Sequence, residues 1–166
     1  MTGKHLLEKV DIVSGIVPIN LGSARTGDVV SLKNWGRCAI VFFKAAGSAS
    51  EDPTITVEQC INVAGSSNKA ITFTRIDTKQ GTLTSVGTWT EVSQAAANTY
   101  TNATASENQA IWVIEVKAED LDVDNGYDCI TCSIADAGSV NQLGAVLYIL
   151  HEPRYAKAGG VSAIAN

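Results

Sequence analysis

The feature that most constrains this chain is a period of two. Between residues 54 and 63, Ile55, Val57, Ile61 and Val63 fall on one side of an extended backbone, and Thr54, Thr56, Glu58 and Asn62 fall on the other. Successive side chains of a β-strand point to opposite faces, so this pattern fits a strand with one face in a core and one toward water. Comparable stretches recur along the chain, while almost nothing repeats at the 3.6-residue period of an amphipathic helix.

The other predicted strands cover residues 11–20, 28–33, 37–44, 70–78, 84–92, 111–117, 127–134 and 143–150. The run 37–44 is apolar on both faces and is expected to be central, covered on both sides. Gly65-Ser-Ser, Gln80-Gly81, Asn125-Gly126 and Ala137-Gly138 supply the turns, with residues that tolerate positive φ or bond their own backbone. Eight or nine strands in 166 residues suit an all-β fold. The expected architecture is a two-sheet antiparallel sandwich, jelly-roll-like with an immunoglobulin-like order second, and with extended terminal arms. Residues 93–110, rich in Ala, Thr, Asn and Ser, read as a long polar loop at an exposed tip, and residues 117–121 as one helical turn.

The division expected is an N-terminal arm over residues 1–10, a sandwich domain over 11–152 and a C-terminal tail over 153–166. The apolar residues Leu6, Leu7, Val10, Ile12, Val13 and Ile16 make the N-terminal stretch adhesive. They are the candidate contacts with a partner or a sister subunit.

Charge narrows the partners. Only 17% of residues are charged, the formal net charge is −5, and the basic side chains are scattered singly. A nucleic-acid surface needs clustered Lys and Arg to neutralise phosphates, so none is expected. The longest apolar run, residues 38–43, is far short of the roughly 20 residues that span a bilayer as a helix. Glu8, Lys9 and Asp11 interrupt the apolar N-terminus, so no signal-peptide core is expected there, and synthesis is read as cytoplasmic.

No motif commits the chain to catalysis. Cys129 and Cys132 have the spacing of half a zinc knuckle, but residues three apart on a strand face opposite ways, and Cys38 and Cys60 supply no second pair. All four cysteines are expected as buried free thiols. Asp122-Val-Asp124-Asn-Gly126 opens like a calcium loop, but Ser133 stands where the bidentate Glu belongs. His5 and His151 are the only histidines, and neither has the company a nucleophile system requires. Phosphate loops of the G-x-x-x-x-G-K type and G-x-S-x-G elbows are absent. The chain reads as a non-enzyme without metal or cofactor. Of the aromatics, Trp112 alternates with Ile114 and Val116 and belongs to the core, whereas Trp89 and Tyr100 are the candidates for exposed contact with protein or sugar.

Two runs carry a resemblance: Val10-Asp-Ile-Val-Ser-Gly-Ile-Val-Pro-Ile-Asn20, and Gly27-Asp-Val-Val-Ser-Leu-Lys-Asn-Trp-Gly-Arg-Cys-Ala-Ile-Val-Phe-Phe-Lys-Ala-Ala-Gly47. With the pieces at 51–59, 94–101 and 121–127, the chain resembles the head-decoration, or cement, proteins of tailed bacteriophages. That resemblance implies a β-rich structural subunit, in a homo-oligomer and most often a trimer. Such a subunit sits on the capsid exterior, with the major capsid protein as partner and no catalytic residues. The other function class left open is a tail- or fibre-associated carbohydrate-binding module, which would present Trp89 or Tyr100 in a groove.

Overall fold

A computed structural model of the protein describes residues 5–48, 51–81, 83, 86–102, 108–138 and 141–155. Twelve strands form two antiparallel sheets: β1 (Val10–Asn20), β2 (Arg25–Thr26), β3 (Val30–Ser31), β4 (Trp35–Lys44), β5 (Thr54–Cys60), β6 (Lys69–Ala70), β7 (Phe73–Gly81), β8 (Thr90–Ala97), β9 (Thr99–Thr101), β10 (Gln109–Lys117), β11 (Cys129–Ile134) and β12 (Leu143–Pro153). The larger sheet runs β1-β12-β4-β10-β7-β8, and the smaller β2-β11-β5-β6, with β3 beside β11 and β9 beside β5.

The pairing is nested. β1 pairs β12, β2 and β3 pair β11, β4 pairs β10, and β5 pairs β9, all antiparallel. A long hairpin folded in that way and rolled up brings β12 beside β4 and β11 beside β5, which is the jelly roll. The hairpin β7-β8, inserted between β5 and β9, extends the larger sheet beyond β10.

The core lies between the sheets. Phe42 and Trp112 are direct cross-strand partners with ring centroids 4.9 Å apart. Across from them the small sheet contributes Ile55, Val57, Ile130, Cys132 and Ile134, all buried. Tyr148 spans the gap. β11 pairs β2 at Ser133 and Ile134 and β3 at Cys129 and Ile130, which leaves the backbone of Cys132 between two short partners. The Cys132 N–H donates to the Tyr148 hydroxyl at 3.0 Å, and the hydroxyl donates to Cys132 Sγ at 3.2 Å. Gly27 closes the same gap: its N–H donates to the Cys132 carbonyl at 2.8 Å, and the next residue, Asp28, donates to the Gly15 carbonyl at 2.8 Å. One connection thereby stitches the edge of the large sheet to the middle of the small one. A Cβ on Gly15 would lie 2.8 Å from Tyr148 Cε2, and one on Gly27 2.9 Å from the Tyr148 hydroxyl, so both glycines are needed for the ring to fit.

Several sequence expectations change. The strand expected at 84–92 is β8, displaced to Thr90–Ala97, and the strand expected over 54–63 ends at Cys60, with Ile61 exposed. Tyr100 is only 7% exposed and stands edge-on to Trp112 at 5.0 Å, because in β9 it is the inward residue between two outward threonines. The apolar N-terminal stretch is not an arm throughout: from Val10 it is edge strand β1, where Ile16 is buried and Val13 packs on the core. The polar stretch 93–110 carries the end of β8, all of β9 and the start of β10, since an edge strand needs few apolar residues to pair; residues 103–107 lie outside the described ones. Finally, β4 is covered on one face only, with Phe43 52% exposed on the other. The tail expected at 153–166 lies mostly outside the described residues, while the turn expected at 117–121 is a 3₁₀ turn, Ala118–Asp120.

Tyr148→Phe should cost about 1–3 kcal/mol in urea unfolding, because the buried Cys132 N–H loses its acceptor. Gly15→Ala should destabilise as well, by displacing the ring. A Tyr148→Phe protein with wild-type stability would show that the hydroxyl does not hold the sheets.

Candidate functional site: the outer face of the large sheet

The large sheet is apolar on both sides. On its outer face, the pairing registers align side chains into rows that cross β1, β12, β4 and β10. Ile12, Ile149 and Ala39 form one row, which ends at Glu115 on β10, and Leu147, Val41 and Val113 the next, which begins at Ser14 on β1. Ala145, Phe43 and Ile111 form a third. Beyond it, Pro18, Phe43, Leu143 and Ala145 line a shallow groove of about 230 Å³. Among the described residues, five of the twelve large apolar side chains that stand exposed, namely Ile12, Val17, Phe43, Leu143 and Leu147, belong to this sheet's strands β1, β12 and β4. A contiguous patch of that kind marks an interaction surface more often than scattered single exposures do.

Charged residues rim the patch and largely satisfy one another. Arg37 sits between Glu115, which it contacts directly, and Glu152, with Nε to Oε2 at 3.1 Å. His151 Nε2 lies 3.5 Å from Glu115 Oε2. Farther along, Arg75 reaches Asp77 at 2.8 Å and Glu91 at 3.0 Å. These pairs are exposed, so each contributes little to stability.

A second apolar feature precedes β1. Residues Leu6–Glu8 form a 3₁₀ turn with no buried residue, held by backbone bonds from Glu8 to His5 at 3.1 Å and from Lys9 to Leu6 at 2.9 Å. Leu6 and Leu7 are 64% and 62% exposed. The six candidate contacts therefore divide: Leu6, Leu7 and Ile12 stand outward, Val10 is half-buried at the start of the edge strand, and Val13 and Ile16 serve the core. Periodicity within residues 10–16 was the available signal for that division, but the bulges after Ser14 and Ile16 shift its phase.

Trp89 is 49% exposed, and the Lys79 ammonium lies 4.9 Å from its ring centroid. With that face occupied by a cation and Tyr100 in the core, the two aromatics do not form a paired stacking platform.

The cysteines also divide by face. Cys132 and Cys38 lie in the core, where burial pushes the Cys38 thiol well up and the Cys132 thiol up to about 12. Cys60 and Cys129 are cross-strand partners of β5 and β11 outside that core, and each perturbs the other: the Cys60 thiol is held low by its hydrogen bond with Cys129, whose own thiol is raised. Asp122, the first residue of the calcium-like sequence, contacts Lys69 and accepts from Asn125 at 2.8 Å; Lys69 holds its carboxyl below the usual range. Gly126 closes that turn at φ 85°. Among the described residues no three His, Cys, Asp or Glu side chains converge as a metal site.

No family model matches the chain, and no curated protein matches it. Among solved structures, it is similar to the crystal structure of SPBc2 prophage-derived protein YomS, at TM-score 0.46 and 10% identity over 86% of this chain and 93% of that one.

In native protein at pH 8, thiol titration should leave Cys38 and Cys132 unmodified until denaturant is added, because both are buried and hold their protons far above that pH. Rapid labelling of either, read by mass spectrometry, would contradict the packing described.

Proposed function

We propose that this protein is a structural virion protein of a tailed bacteriophage, which binds the outer surface of the head and stabilises it by bridging capsid subunits. The observation that carries the reading is the pair of exposed leucines, Leu6 and Leu7, on a turn that buries neither of them. Two large apolar side chains in that position are anchors without a socket in their own chain. The resemblance of residues 10–20 and 27–47 to head-decoration proteins supplies the socket: the major capsid protein.

The physics of such a role needs no chemistry at the interface. A ligand that binds the assembled shell and not its free subunits stabilises the shell by RT ln(1 + [L]/Kd), about 2.7 kcal/mol when the free concentration is 100 times Kd. Contacts repeated over the shell multiply through avidity, so a short anchor suffices. A rigid jelly roll behind the anchor fixes where it emerges, at the edge strand β1.

The purified protein should co-sediment saturably with expanded heads of its phage and not with unexpanded proheads. Removing residues 1–9 should abolish that binding, with a melting temperature within about 2–3 °C of the full chain, because the turn Leu6–Glu8 contributes no buried residue. Unchanged binding by the truncated protein would refute the anchor.

A further inference from the structure

All four cysteines stand as thiols, and the capsid reading uses none of them. We propose that Cys60 and Cys129 are a redox pair, which joins as a disulfide in an oxidising environment, clamps β5 to β11, and parts again in a reducing one.

Register places the pair. Cys60 ends β5, Cys129 begins β11, and the two are direct cross-strand partners. At the other end of the same ladder the Ala135 N–H donates to the Thr54 carbonyl at 2.9 Å. Hydrogen-bonded pairs alternate along an antiparallel ladder, so Cys60 and Cys129 also form one, with Cα atoms about 5.5 Å apart. Disulfides span Cα separations of about 4.4–6.8 Å and are commonest near that value. The Cβ atoms of such a pair lie about 5 Å apart and must close by about 1 Å to reach bonding range. Because β5 ends at this pair, the ladder holds Cys60 from one direction only. The two thiols are already hydrogen-bonded to each other. Cys38 and Cys132 have no such relation: Cys38 pairs with Val116 and Leu150 in the large sheet, Cys132 with Val57 in the small one, and both belong to the core.

The surroundings suit the chemistry. Cys60 and Cys129 are buried but outside the core, on the face of the small sheet that also carries the half-exposed Thr56, Glu58 and Ser133. The turn after β5 lies over Cys60, with the Asn62 N–H donating to its sulfur, and none of residues 61–66 is buried. Opening an exposed turn is among the easiest local fluctuations of a fold, so a small oxidant reaches Cys60 without unfolding the sandwich. Cys60 is the nucleophile, because hydrogen bonds from Cys129 and Asn62 favour its thiolate. The Cys129 sulfur lies 3.1 Å from Asp128 Oδ1, a carboxylate placed to take its proton.

With hydrogen peroxide as oxidant, the Cys60 thiolate attacks one peroxide oxygen and the O–O bond breaks. Hydroxide leaves and becomes water with a proton from solvent, and Cys60 is left as a sulfenic acid. Cys129 passes its proton to Asp128 and attacks the Cys60 sulfur. The S–S bond forms as the S–O bond breaks, and the departing hydroxide takes that proton as a second water. The chain between the pair, about 70 residues carrying β6 to β10, is a long loop, and closing it restricts the unfolded chain enough to raise stability.

The test treats the full-length reduced protein at pH 8 with stoichiometric hydrogen peroxide. Two of the four thiols should be lost when counted in denaturant, and unreduced peptide mapping should place the new bond between Cys60 and Cys129. The melting temperature should rise by at least about 5 °C. Dithiothreitol should reverse all three changes. Cys60→Ser and Cys129→Ser should each abolish the rise, and Cys38→Ala should keep it; the mapping of the unsubstituted chain stands without any variant. Four remaining thiols, a bond involving Cys38 or Cys132, or a bond between chains on a non-reducing gel would each overturn the proposal. So would sulfinic acid at Cys60 with Cys129 unaltered, or a bridge that leaves the melting temperature unchanged.

Discussion

The two sheets depend on one hydroxyl. Tyr148 reaches from β12 across the core to the backbone of Cys132, at the place where β11 has lost its ladder between β2 and β3. A buried N–H without a partner is costly, and a jelly roll whose edge is made of two short strands creates such a gap by construction. The side chain that fills it must be long, aromatic enough for the core and polar at its tip. Tyrosine satisfies all three, provided the chain beside it is glycine at positions 15 and 27. The position of β1, and with it the surface that the edge strand presents, follows from that fit.

From this frame the apolar outer face follows as a matter of register. Once Phe42 and Tyr148 are fixed inward, Phe43 and Leu147 must point outward, because β4 and β12 are apolar at consecutive positions and a strand offers only two faces. A sandwich that needed only its own core would place polar residues there. This one carries instead an apolar surface bordered by ion pairs, with Leu6 and Leu7 exposed before β1.

Much of this was legible in the sequence. Alternation in residues 54–63 gave β5 and its inward Ile55 and Val57, though the strand ends at Cys60 and leaves Ile61 exposed, and Trp112 was placed in the core from its spacing with Ile114 and Val116. The cysteines were legible too, since the strand period alone separates Cys129 from Cys132. What the sequence concealed depends on long-range pairing. Tyr100 looked exposed because threonine and asparagine surround it, yet cross-strand pairing with Ile55 turns it inward. The uniformly apolar run 37–44 read as a strand covered on both sides, and no local signal distinguishes a face covered by a second layer of the same chain from one left exposed. The N-terminal apolar residues read as one group, but the bulges of β1 decide which of them the core claims.

The nested pairing also sets an order of events. Val10 lies opposite His151, so among the described strands the earliest in the chain bonds to the latest. Pairings of such sequence separation close late and slowly, because the entropy of the intervening loop must be overcome before any contact repays it. During that interval β1 has no partner, and its isoleucines and valines remain in water with a free backbone edge on either side. Folding of this chain is therefore a race between completing the roll and pairing with a neighbour, and its yield in the cell should fall with the rate at which it is made.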